Sequence, residues 1–171
     1  SFDLLVDEAL KQPQVFVHRD YHSRNLMVCD GKSPERGGRG ANPGILDFQD
    51  AVLGPVTYDL VSLFRDSYIA WPIERVQVWV RYYREHAQRA GLNVGTNEAQ
   101  FQRWFDFMGV QRQLKVLGIF ARLYHRDGKS GYLKDLPRTL SYVRQVTKNY
   151  RDLDFLASFI EQCIVPAMAK L

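Results

Sequence analysis

Cysteine is scarce in this sequence. Its 171 residues hold only Cys29 and Cys163, in neither a CxxC pair nor a zinc-ligand spacing. A disulfide-stapled secreted scaffold is thereby excluded, and two reduced thiols are the expectation. Long apolar runs are missing too. None reaches the roughly 18–20 residues that a membrane span needs, so no membrane partner is expected. No signal peptide is legible, because the opening SFDLLVDEALKQ is amphipathic and acidic; a cytoplasmic location is expected. The sequence also lacks an initiator methionine, which suits a fragment. No block of like charge stands out, the net charge of +4 is mild, and no basic–aromatic motif marks a nucleic-acid surface. The charge balance suits a small anionic ligand.

What is present is an ordinary globular composition, 46% hydrophobic and 25% charged, long enough for one domain with a real core. A helix is predicted over residues 2–11, with Phe2, Leu5, Val6 and Ala9 on one face and Pro13 ending it. Short strands follow at 15–18, 26–29 and 44–48. Val15, Phe16 and Val17 read as a buried strand and Leu26, Met27 and Val28 as its return. Residues 30–44, DGKSPERGGRGANPG, read as a mobile surface excursion of a hairpin. They lack the GxxxxGK[ST] order of a phosphate-binding loop. Helices are predicted over 57–67, with Thr57 as cap, and over 73–90, 97–124, 136–149 and 152–169. The aromatic stripe from Phe101 to Phe120 has helical spacing and reads as core. A small β-unit followed by helices makes an α+β domain that is mainly α-helical.

One stretch does not fit a structural role. In VFVHRDYHSRNLMV, residues 15–28, eight residues, nearly all polar, interrupt two apolar runs, a composition suited to side chains aimed at a ligand. His18-Arg19-Asp20 with Asn25 fits H-R-D-x-x-x-x-N, the catalytic-loop pattern of kinases. The spacing lets an aspartate orient the proton of an attacking hydroxyl while an amide oxygen reaches a metal on the nucleotide phosphates. A second acidic ligand is offered by Asp47, which follows the apolar pair Ile45-Leu46 and precedes Phe48. Magnesium takes hard oxygen ligands, few of them from the protein, and Asn25 with Asp47 is such a set. Gln49 and Asp50 lie beside Asp47 as support. A second His-Arg-Asp, residues 125–127, has no asparagine at the right distance and suits a helix C-terminus instead.

Together, His18-Arg19-Asp20 to Asn25, then Asp47, then Gly54-Pro55-Val56-Thr57-Tyr58-Asp59-Leu60 resemble the aminoglycoside phosphotransferase and choline kinase-like family. The segments HRDYHSRNLM, PGILDFQDAVLGPVTYDLVSLFRDSYIAWP and GIFARLYHRDGK are most similar to its bacterial sugar kinases. Those phosphorylate the anomeric hydroxyl of N-acetylmuramate and N-acetylglucosamine during cell-wall (peptidoglycan) recycling. The resemblance covers most of the chain. It implies a protein kinase-like C-terminal lobe, with catalytic loop 18–25, metal segment 44–60 and helical subdomain 57–171. It implies ATP and Mg²⁺, Asp20 as catalytic base, Asn25 and Asp47 as metal ligands, and His18, His22 and Asp59 as loop support. The N-terminal lobe that clamps nucleotide is not legible before residue 15. The chain alone is therefore expected to turn over poorly and to leave apolar surface open beside Val15–Val17 and Leu26–Val28.

The acceptor site is less legible. Arg65, Tyr68, Trp71 and Arg112 are candidates, an arginine for a substrate carboxylate and an aromatic for a sugar face. An aminoglycoside or other small-alcohol kinase is the alternative, which acidic acceptor residues would favour. A catalytically incompetent binding lobe is the other.

Overall fold

The longest helix of the computed structural model, α4 (Glu98–Asp127), is the spine of the molecule. The structure describes residues 2–29 and 42–169; most of the predicted 30–44 excursion lies outside them. α4 starts where the Asn97 side chain accepts the Gln100 N–H at 2.9 Å, closing one otherwise orphaned donor. It ends at Gly128, whose φ of 64° is the left-handed C-cap conformation that glycine adopts without strain. The second His-Arg-Asp forms its last turn.

Two apolar clusters flank this spine. Phe101, Trp104, Phe105 and Met108 pack with α2 (Tyr58–Phe64) and α3 (Ile73–Arg89). Phe107 and Val110 pack with α5 (Leu136–Thr147) and α6 (Asp154–Phe159). A helix buried on two sides carries apolar residues on both, and not in a single stripe. Each buried phenylalanine contributes about 1.5–3 kcal/mol relative to exposure.

α1 (Phe2–Leu10) presents a different face from the one predicted. Leu5 and Glu8 are buried, while Phe2 and Val6 are exposed. Glu8 is drawn inward because Lys11 Nζ and Arg103 Nε lie 3.1 and 3.4 Å from its carboxylate. The helix predicted over 152–169 is interrupted. Between α6 and α7 (Val165–Met168) a π-turn spans Ile160–Ile164. Pro166 has no N–H to continue the ladder, which accounts for the looser turn before it.

The small strands pair differently from the expected hairpin. β1 (Gln14–Val17) runs antiparallel to β4 (Val52–Pro55), and β2 (Leu26–Met27) to β3 (Gly44–Ile45). Residues 26–28 are thus not the return of β1. Val17 is buried, but Phe16 is 70% exposed, because a two-stranded ribbon covers only one of its faces. Met27, Val28, Ile45, Phe48 and Leu53 are also exposed apolar side chains of this region. Thr57 stands at the start of α2 without capping it. Its hydroxyl instead donates to Gln12 Oε1 at 2.7 Å, tying the helix start to the end of α1. Among the described residues, no helix is long and apolar enough to cross a membrane.

Candidate active site

Residues 18–25 join β1 to β2 as an irregular loop that closes with a 3₁₀ turn over Ser23–Asn25. Two carboxylates hold its backbone. Asp59, on the first turn of α2, accepts the N–H groups of His18 at 2.7 Å and Arg19 at 3.1 Å. Asp66, just beyond α2, accepts the N–H of Ser23 at 2.9 Å and that of Tyr68 at 2.7 Å. Bonds to an ionised acceptor are stronger than neutral ones, so α2 grips the loop at both ends. Burial pushes the Asp59 carboxyl above its ordinary range, while its bonds from His18 and Arg19 pull it back.

The clamp supports an uncommon backbone. Arg19 and Asp47 have φ of 77° and 63°, a region that non-glycine residues rarely enter. Such conformations cost about 1–3 kcal/mol each and persist where the surroundings impose them. One immediately precedes Asp20, and the other is the candidate metal ligand itself. His18, buried behind the loop, bonds through Nε2 to the Leu46 carbonyl at 2.8 Å. Leu46 N–H in turn donates to the Asn25 carbonyl at 3.0 Å. These links bring the loop and the segment after β3 side by side, so Asn25 and Asp47 project from adjoining backbone. Asn25 Nδ2 donates to the Asp20 carbonyl at 2.9 Å, which fixes the amide next to the base candidate. Gln49 Nε2 donates to Asp47 Oδ1 at 2.5 Å, and Arg19 reaches the Asp50 carbonyl at 3.4 Å.

The Asp20 carboxylate is half exposed and opens onto a cavity of about 150 Å³ between the loop, α2 and α4. His22, Tyr68 and Arg112 line the same space. The buried Arg112 donates through Nε to Ser62 Oγ at 2.6 Å and stands 4.0 Å from Asp20 Oδ1. Tyr68 lies edge-on to His22, with ring centroids 5.4 Å apart, and carries the Arg24 guanidinium 3.6 Å above its ring. Burial holds the His22 imidazole below its ordinary value, with the Asp66 charge opposing. The same burial pushes the Tyr68 phenol up.

Of the four acceptor candidates, Tyr68 and Arg112 share the cavity with Asp20; Arg65 and Trp71 do not. Arg65 is 4% exposed and ion-paired with Asp106 inside the protein. Trp71 packs against Trp79 and the first apolar cluster. Sequence reasoning passed over Asp66, Lys115, Tyr58 and Ser62. Lys115 was the most findable, three residues after Arg112 and so on the same face of a helix. Asp66 left no signal, because its role is to accept backbone N–H groups distant in sequence.

A model of the phosphotransferase enzyme family matches residues 2–92. The chain belongs to that family. The N-acetylmuramate/N-acetylglucosamine kinase of Pseudomonas putida is 49% identical over 166 residues, covering 97% of this chain. The protein of that name from Neisseria meningitidis serogroup B is 48% identical over 164 residues, covering 96%. A third, from Caulobacter vibrioides, is 39% identical over 129 residues, covering 75% of this chain and 32% of its own length. The chain spans 46% of the length of each of the first two relatives. The matched family is one of phosphotransferase enzymes, and these relatives are named as kinases.

Proposed function

We propose that residues 1–171 form the catalytic-loop lobe of a sugar kinase that transfers the γ-phosphoryl of ATP to the anomeric hydroxyl of N-acetylmuramate or N-acetylglucosamine. The observation that carries this reading is Asp20, on a loop clamped at both ends, opening onto a cavity shared with Arg112 and Tyr68. Asp20 accepts the hydroxyl proton as the sugar oxygen attacks phosphorus and the bond to the β-phosphate oxygen breaks. A loose phosphoryl-transfer transition state asks mainly for positioning and charge neutralisation, and the clamped loop supplies the first. Asp59 and Asp66 keep Asp20 in place, and His18 braces it from behind. Tyr68 offers an aromatic face for a sugar ring.

Asn25 and Asp47 suit magnesium. Both present hard oxygens on accessible backbone turns, and the Asn25 amide nitrogen is already engaged with Asp20, which leaves its oxygen for a ligand. Among the described residues no three His, Cys, Asp or Glu side chains cluster as a metal site, so the ion would complete its shell with phosphate and water. When bound, it neutralises charge on the phosphate oxygens. Further contacts to the nucleotide come, on this reading, from polypeptide outside residues 1–171. A polycationic aminoglycoside fits less well, since Arg112 and Lys115 face the acceptor space.

The test is a panel of N-acetylmuramate, N-acetylglucosamine, glucosamine and kanamycin offered to the full-length protein with ATP–Mg²⁺. Anomeric phosphates of the two N-acetyl sugars are the expected products. Phosphorylation of kanamycin alone would transfer the protein to the other branch of the family.

A further inference from the structure

The cavity beside Asp20 carries a lysine that no carboxylate answers among the described residues. Lys115 lies one helical turn beyond Arg112 on α4 and lines the same cavity. Arg112 is occupied, by Ser62 at 2.6 Å, by Asp20 at 4.0 Å, and by the Tyr58 ring 5.7 Å below its guanidinium. The other acid lining the cavity, Asp66, is occupied as well, with its two oxygens taken by the N–H groups of Ser23 and Tyr68. Of the arginine and lysine that line the cavity, Lys115 is the one with no carboxylate within 4.0 Å among the described residues. It approaches the Tyr58 hydroxyl at 3.5 Å, and the side chain is exposed.

Resting on the sugar-kinase reading above, we infer that Lys115 is a specificity-determining residue that takes a carboxylate carried by the acceptor. The two sugars named for the relatives differ in this respect. N-acetylmuramate is N-acetylglucosamine with a lactyl ether, hence one additional negative charge. Asp20, facing the same cavity, repels that charge, so an acid-bearing acceptor needs a cation that is not already held against the base. Arg112 is held against Asp20 and cannot turn to serve. Lys115, on a flexible stem at the rim, can.

The experiment uses the full-length protein and reads the ratio of kcat/KM for N-acetylmuramate to that for N-acetylglucosamine. Methionine is a good helix former of similar length, and Lys115 is exposed, so K115M retains α4. A charge-assisted hydrogen bond supports a fall of about ten-fold in the ratio, entering through KM for N-acetylmuramate. K115R, which restores a positive charge, should keep most of the ratio. A K115M ratio within two-fold of the unaltered enzyme, a fall confined to kcat, or a K115R ratio as low as that of K115M would each overturn the inference. If the unaltered enzyme phosphorylates neither sugar, the kinase reading itself fails and takes this inference with it. An unchanged ratio in an active enzyme strikes the inference alone.

Discussion

Two regions of this protein use buried or half-buried aspartates to opposite ends. Around α4, Asp106 gathers side chains: Arg65 pairs with it, Gln102 donates to it at 3.1 Å and the Tyr150 hydroxyl at 2.7 Å. Burial and the Asp106 charge push the Tyr150 phenol well above its ordinary range. Around the loop of residues 18–25, Asp59 and Asp66 gather backbone N–H groups instead. The first arrangement fastens packed helices to one another. The second shapes a loop that has little apolar packing of its own, flanked by strands of two to four residues with exposed Phe16 and Met27. The helical core should therefore govern stability, and the clamped loop should govern turnover at a small cost in stability.

The largest break in that comparison is Asp106→Ala. It leaves the Arg65 guanidinium buried without a counter-charge, which costs about 3–5 kcal/mol. Urea unfolding should show a large fall in midpoint, while the fraction still folded keeps its turnover. Loss of turnover without loss of stability would reverse the roles assigned to the two regions.

Asp59→Ala is the converse experiment. It removes two backbone hydrogen bonds at a half-buried site, worth about 1–2 kcal/mol together, but frees Arg19 and Asp20 from their imposed geometry. Turnover should drop about ten- to hundred-fold, the scale of a misplaced catalytic group. If urea midpoint and turnover fell in proportion, the clamp would be an ordinary stabilising contact.

The smallest effect concerns pH. Burial lowers the His22 value from 6.5, so the unfolded chain binds that proton more readily than the folded one. His22 then favours the fold above pH 6.5, and this contribution is lost as the pH falls below it. The groups facing it are Asp66, Arg112 and Asp20. Urea midpoints at pH 7.5 and pH 5 should differ less in His22→Gln than in the unaltered protein. An equal difference in both would remove His22 from the acid response.

The helices were legible because their apolar spacing is local: α4, predicted over 97–124, runs from Glu98 to Asp127, one residue later at its start and three further at its end. Strand pairing was not. β4 was hidden by Gly54 and Pro55, which depress strand propensity, and it is β4 that pairs with β1. Asp20, Asn25 and Asp47 stood out through motif spacing, which is also a local signal. Of the acceptor candidates, only Tyr68 and Arg112 line the cavity beside Asp20. Arg65 and Arg112 look equivalent in sequence, and only the fold sends one to Asp106 and the other to Asp20. Thr57 has the residue type of a cap, but Gln12 competes successfully for its hydroxyl.

The central claim is that Asp20, positioned by the clamped loop, accepts the proton of a sugar hydroxyl. Asp20→Asn keeps the shape and removes the charge. Single-turnover and steady-state assays of the full-length protein, with ATP–Mg²⁺ and N-acetylmuramate, should show a loss of roughly 10²–10⁴ in rate with nucleotide affinity little altered. A variant that turns over at close to the unaltered rate would contradict the account.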